Sequence, residues 1–134
     1  MATNISILVV DDDYDVQEAL RDCLRDAGHE VATAGNGLEA LAWLRTHPAP
    51  TVVLMDCMMP HLDGAQTRNV MLSDPDLRRI PVVMLTAGPH AREPVRALAL
   101  DGYFEKPIDL RMLLDVIDAT ARAQPSYGGA VFHA

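Results

Sequence analysis

Cysteine is scarce in this chain: Cys23 and Cys57 are the only two in 134 residues. Two isolated thiols make no disulfide framework, so both are expected to be reduced. Basic residues are outnumbered as well. Eleven Lys and Arg stand against 19 Asp and Glu, for a formal net charge of −8. That balance argues against nucleic-acid binding and against adhesion to an anionic membrane. No apolar run approaches the length of a membrane span, and no basic start leads into a signal-length apolar stretch. A cytoplasmic setting is therefore expected. The five His show no metal-ligand spacing.

What the chain does have is enough length and apolar content for one domain with a proper core, 49% apolar against 22% charged. Its most informative stretch is Thr51-Val52-Val53-Leu54-Met55-Asp56, followed by Cys57-Met58-Met59-Pro60-His61-Leu62-Asp63-Gly64. An apolar run of strand length without polar alternation predicts a strand buried on both faces. Asp56 then sits at its carboxyl end, the edge of an open α/β sheet where ligands bind. Ile5 to Val10 is a second such run and ends on Asp11-Asp12-Asp13. Two strands thus deliver carboxylates to one edge. Clustered carboxylates raise each other's pKa unless something positive sits among them, and a hard divalent cation suits an all-oxygen donor set. Taken alone, the Asp triplet reads better as a solvated turn with a helix N-cap; the second strand ending on Asp shifts the reading toward the metal.

The remaining elements follow in alternation. Val16, Ala19, Leu20, Cys23, Leu24 and Ala27 recur at helical spacing, with Asp13 as N-cap and Gly28 as the stop. Glu30 to Ala34 reads as a strand and Leu38 to Thr46 as a helix carrying a partly exposed Trp43. Gly64 to Ser73 is a weakly amphipathic third helix, broken at Asp74-Pro75. Pro81 to Leu85 is a strand ending on Thr86-Ala87-Gly88. Pro94 suits the first turn of a helix, which leaves Pro94 to Leu100 for a short fourth helix that depends on docking. Tyr103 to Lys106 is a fifth strand. Asp109 caps a last helix with Leu110, Leu113, Leu114, Ile117 and Ala121 on one face. Five alternations predict a flavodoxin-like (βα)5 sandwich, a five-stranded parallel sheet of order 2-1-3-4-5 between helical layers. Residues 1–123 form the domain, and residues 124–134, with Pro, Ser and Gly, read as a flexible tail or linker stub.

Four segments now fall in order: Ile7 to Asp13, Met55 to Gly64, Leu85-Thr86-Ala87 and Lys106-Pro107. Together they resemble the signature segments of receiver domains from two-component response regulators, over roughly residues 4 to 123. The resemblance implies a phosphorylation switch rather than a turnover enzyme. Asp56 is then the phosphoacceptor, taking a phosphoryl group from the phosphohistidine of a sensor histidine kinase or a histidine phosphotransfer protein. Asp12, Asp56 and the Met58 backbone carbonyl hold Mg²⁺, with Mn²⁺ as a substitute, and Asp11 acts through a bound water. Lys106 pairs with one phosphoryl oxygen and Thr86 hydrogen-bonds another, while Ala87 leaves the group room. Lys106-Pro107 is implied to be cis. Thr86 shifts inward on phosphorylation and Tyr103 follows, so these two form the switch. Met58 and Gly88 tune the lifetime of the phosphoryl group through water access. Partner binding changes on the face made by the fourth helix, the fifth strand and the last helix.

The chain also departs from the family. The interval from Thr86 to Lys106 is short, with the missing residues near Leu100-Asp101-Gly102, so a shortened or mobile fourth helix is expected. No effector domain follows Gln124, which leaves either a stand-alone regulator or a receiver cut from a longer chain. A phosphohydrolase with Asp56 as nucleophile is the rival from another class, but it needs a lid, and no insertion is long enough to form one. A degenerate receiver serving as a binding module is the third reading, against which the intact Asp11, Asp12, Asp56, Thr86 and Lys106 stand.

Overall fold

The computed structural model describes residues 5–86, 99–123 and 132–133. Within them the alternation of apolar runs and amphipathic stretches becomes β1 (Ser6–Val10), α1 (Tyr14–Asp26), β2 (Glu30–Ala34), α2 (Gly37–Thr46), β3 (Val52–Asp56), α3 (Gly64–Ser73), β4 (Val82–Thr86), β5 (Gly102–Glu105) and a C-terminal helix, Leu110–Ala123. All strand pairs are parallel, and the sheet runs β2-β1-β3-β4-β5, as expected. Of the short fourth helix expected over 94–100, residues 94–98 lie outside the described residues, as do Ala87 and Gly88, while Ala99 and Leu100 are described and are not helical. Phe132–His133 adds a two-residue β6 parallel to β5, with His133 opposite Tyr103. These residues belong to the tail whose composition reads as a linker. Pairing at a sheet edge uses backbone N–H and C=O groups and so leaves little mark on side-chain pattern.

Helices on both faces bury the central strands completely, which is why β3 and β4 read as unbroken apolar runs. Side-chain alternation divides the interior into two clusters. Leu8, Val10, Val53, Met55, Val82 and Met84 face one side, with Leu41, Leu44 and Met71 from α2 and α3. Ile7, Val9, Leu54, Val83 and Leu85 face the other, with Leu20 and Leu24 from α1 and Leu113 and Ile117 from the C-terminal helix. Local signals set the element ends. Asp13 caps α1 by accepting from the Asp15 and Val16 amides, and Gly28 follows it at φ +97°. Asp109 Oδ1 accepts from the Arg111 and Met112 amides at 3.0 and 3.2 Å, capping the C-terminal helix. Asp63 and Gln66 form a capping box at α3.

Three helix positions depart from the expected apolar stripes. Ala19 is exposed whereas Gln17 is buried, and Leu110 lies 43% exposed at the first turn of its helix. On α3 the buried face is largely polar: Thr67, Arg68 and Met71. Thr67 Oγ1 donates to the Asp63 carbonyl at 2.7 Å. Arg68 is sunk to 3% exposure and donates to the Ile80 and Ala99 carbonyls at 3.0 and 3.1 Å. Burial pulls the Arg68 pKa down, and the Asp101 charge opposes that shift. Asp101 in turn accepts from the Val82 amide at 3.0 Å, while its own amide donates to the Val82 carbonyl at 2.8 Å. The entry to β5 is thus held by a polar clasp.

Gly64 lets α3 start directly beneath the end of β3. A Cβ there would lie 2.6 Å from the Asp56 carbonyl oxygen and 2.8 Å from Met84 Sδ. Neither the backbone nor a packed core residue yields cheaply, so Gly64→Ala is expected to destabilise the fold by about 1–3 kcal/mol. A urea unfolding curve with an unchanged midpoint would contradict this close approach.

Candidate functional site

The carboxyl ends of β1, β3, β4 and β5 lie side by side, and they carry the residues expected at the site. Asp11 follows β1 and is fully buried, Asp12 beside it is exposed, and Asp56 closes β3 at 5% exposure. One carboxylate oxygen from each of these three lies within 4.8 Å of the others. Lys106 follows β5 and reaches back, its Nζ 3.4 Å from Asp11 Oδ2 and 3.5 Å from Asp56 Oδ2. The Lys106-Pro107 peptide bond is cis, as the resemblance implied. Thr86, buried, closes β4, and its carbonyl accepts from the Lys106 amide at 2.7 Å. Tyr103 is partly buried against the α2–α3 side of the core. Met58 stands out at 69% exposure, and its amide donates to Asp56 Oδ1 at 3.3 Å. His61 is exposed and is not part of the carboxylate cluster found among the described residues.

The electrostatics follow from this packing. Burial pushes the Asp56 pKa above its ordinary value, and the negative charges of Asp11 and Asp12 push the same way. The Lys106 ammonium and the Met58 amide oppose that rise. Three oxygen donors around a small space, two of them buried, match the preference of a hard divalent cation for oxygen. The exposure of Asp12 leaves one side of the cluster open to solvent.

Two contributors were hidden in the sequence. Gln17 lies one turn into α1, on what the apolar spacing marks as a polar position. Its Nε2 donates to the Asp11 carbonyl at 2.6 Å and to the Ala34 carbonyl at 3.1 Å, pinning the ends of β1 and β2. Only the tertiary approach of two strand ends gives this amide its partners. Asp13 acts similarly through its backbone, whose amide donates to Asp11 Oδ1 at 2.9 Å. The Asp63-x-x-Gln66 box, which fixes the loop between Asp56 and α3, was by contrast legible as a spacing. No helix among the described residues is long and apolar enough to cross a membrane.

Comparison with known proteins agrees with this geometry. Residues 7–118 match the family model described as the response regulator receiver domain. The polar-differentiation response regulator DivK of Brucella anthropi is 32% identical over 114 residues, 84% of this chain and 92% of DivK. The response regulator MprA of a Mycobacterium species is 38% identical over 120 residues, 88% of this chain but 51% of MprA. The chain therefore spans about half the length of the MprA relatives it matches. Among solved structures, the chemotaxis response regulator CheY4 of Vibrio cholerae superposes with a TM-score of 0.80 at 28% identity, covering 88% of this chain and 99% of that one. The receiver domain of a signal transduction histidine kinase from Syntrophus aciditrophicus gives 0.82 at 27% identity, covering 96% and 98%. The fold, the four segments and the acidic edge thus converge on one assignment: the chain belongs to the receiver domain family of response regulators, the phosphorylation-dependent switches of two-component signalling.

Proposed function

We propose that Asp56 accepts a phosphoryl group from the phosphohistidine of a sensor histidine kinase or histidine phosphotransfer protein. The observation that carries this reading is the placement of the Lys106 ammonium 3.4 and 3.5 Å from two carboxylates at the mouth of a three-carboxylate cluster. An Asp56 oxygen attacks phosphorus as the bond to the histidine nitrogen breaks, and the imidazole leaves. The reaction needs in-line positioning and cancellation of charge on the phosphoryl oxygens more than proton transfer. Lys106 supplies one positive charge and keeps Asp56 ionised as the nucleophile. The Thr86 hydroxyl, at the end of the adjacent strand, binds a second phosphoryl oxygen. Asp12, Asp56 and the Met58 carbonyl would hold Mg²⁺ or Mn²⁺ directly, with Asp11 acting through water. Bound there, the cation would neutralise phosphoryl charge that the carboxylates would otherwise repel.

The readout is the movement of Thr86 toward the new oxygen, with Tyr103 following on the neighbouring strand. Both residues lie on the β4–β5 pair, one at its end and one opposite Met84. Partner binding then changes at the face built from β5, the C-terminal helix and the segment between β4 and β5. Met58, being exposed, governs water access to the acyl phosphate together with Gly88.

Incubation with acetyl phosphate or phosphoramidate tests the chemistry. Wild type is expected to give a Mg²⁺-dependent shifted band on a phosphate-affinity gel, lost on chelation and absent in Asp56→Asn. Absence of a band with small donors and with a phosphorylated histidine kinase alike would overturn the switch and leave a binding module. Lys106→Met is expected to slow phosphorylation about a hundredfold, the scale for losing one preorganised charge partner, as read by initial rates on the same gel.

The raised pKa of Asp56 has a thermodynamic counterpart. A carboxyl group whose folded pKa lies above its unfolded value of 3.8 destabilises the fold when ionised, and that cost disappears as pH falls through the folded pKa toward 3.8. Without divalent cation, Asp56→Asn is therefore expected to melt a few degrees above wild type at pH 7. The gap should close on acidification, as followed by thermal melts across a pH series. A variant that melts below wild type at pH 7 would contradict the burial and charge argument.

A further inference from the structure

Gln17 is a buried polar residue of α1, and the phosphoryl chemistry above gives it no task. Its backbone amide donates to the Asp13 carbonyl at 3.0 Å, within the first turn of the helix. Its side chain turns back toward the sheet, where Nε2 donates to the Asp11 carbonyl at 2.6 Å and to the Ala34 carbonyl at 3.1 Å. The Ala34 carbonyl also accepts from the Asp11 amide at 3.1 Å. Asp11 is therefore held on its backbone by Gln17 and the end of β2. Its carboxylate is held by the Asp13 amide at 2.9 Å and by Lys106 Nζ at 3.4 Å. Asp12 is exposed, so packing does not set the direction of its side chain. The Asp11 carbonyl and the Asp12 amide belong to one planar peptide unit. A hydrogen bond that fixes this carbonyl also fixes the plane on which Asp12 is mounted.

We propose that Gln17 is a positioning residue for the divalent cation: by holding the Asp11 carbonyl, it aims Asp12 at the ion. This rests on the reading of Asp12 as a direct ligand given under Proposed function. A ligand that the ion must order for itself subtracts that ordering from the binding energy, whereas one already aimed does not. Nε2 bonds to carbonyls from two separate strand ends, so the side chain cannot rotate without losing both. Both acceptors are buried, and a buried carbonyl left without its donor is costly. The end of β2 thus contributes to the metal site without supplying a ligand. A neutral amide suits this place, because a lysine or arginine donor would set a positive charge close to the cation and repel it.

The test is titration of the unphosphorylated protein with Mn²⁺ alone, the free ion being counted by electron paramagnetic resonance. Gln17→Met keeps the length of the side chain and removes its donor. It is expected to weaken Mn²⁺ binding about tenfold, the low end of the range for groups that orient metal ligands. Gln17→Asn keeps the amide on a shorter stem and is expected to weaken binding by a smaller factor. Leu24→Ala, in the buried face of the same helix, is the control for general loosening. It is expected to lower the melting temperature and leave Mn²⁺ affinity unchanged. Thermal melts confirm that each variant is folded. Wild-type affinity in Gln17→Met would overturn the proposal; should that variant not fold, wild-type affinity in Gln17→Asn would do so. An equal loss in Leu24→Ala would also overturn it, because loosening of α1 would then explain the effect. Asp12→Asn with wild-type affinity is the separate outcome that overturns Asp12 as a ligand, and the proposal with it.

Discussion

Asp11 and Asp56 repel each other, and the Lys106 ammonium stands against both of them at the buried edge of the sheet. The rest of the arrangement depends on this three-way balance. A buried carboxylate without a positive partner becomes neutral, and a neutral Asp56 would be a poor nucleophile and a poor metal ligand. The balance needs residues from positions 11, 56 and 106 in one place. A parallel sheet with β1, β3, β4 and β5 adjacent supplies that, because every strand then ends at the same edge. The fold is in this sense a device for bringing separated carboxylates to one cation while the apolar layers exclude water from two of them.

Two supports keep that edge in register. Gln17 ties the ends of β1 and β2 through the carbonyls of Asp11 and Ala34. Gly64 lets α3 begin in contact with the Asp56 backbone, and the Asp63–Gln66 box closes the loop that follows Asp56. Deeper in the molecule, Arg68 and Asp101 fix the start of β4 against the approach to β5 with hydrogen bonds to backbone carbonyls and amides. Both groups have pKa values pushed toward their neutral forms by burial, which marks the clasp as costly unless every polar atom is satisfied. The clasp stands where the chain enters β5.

The same domain is similar to a relative of nearly its own length and to relatives about twice as long. The β6 pairing alongside Tyr103 lies on the edge that is free in a five-stranded receiver sheet. Backbone pairing there joins Phe132–His133 to the strand that carries Tyr103.

The strands, their order of appearance, the caps at Asp13 and Asp109 and the stop at Gly28 were legible in the sequence because each depends on residues close together in the chain. The acidic edge was legible for a related reason: buried-strand runs that end abruptly on Asp56 and on Asp11-Asp12 point those carboxylates to one end of the sheet. Tertiary structure alone decided Gln17, Arg68 and Asp101, since a polar side chain is buried only where distant carbonyls and amides wait for it. Ala19 and Leu110 went the other way, left exposed at the margins of their apolar stripes. Strand pairing and alternation, not sequence neighbourhood, also set which strand residues meet, as where Asp56 lies opposite Leu85. Sequence by itself determined which groups arrive at the edge; the packing of the sheet determined which of them touch.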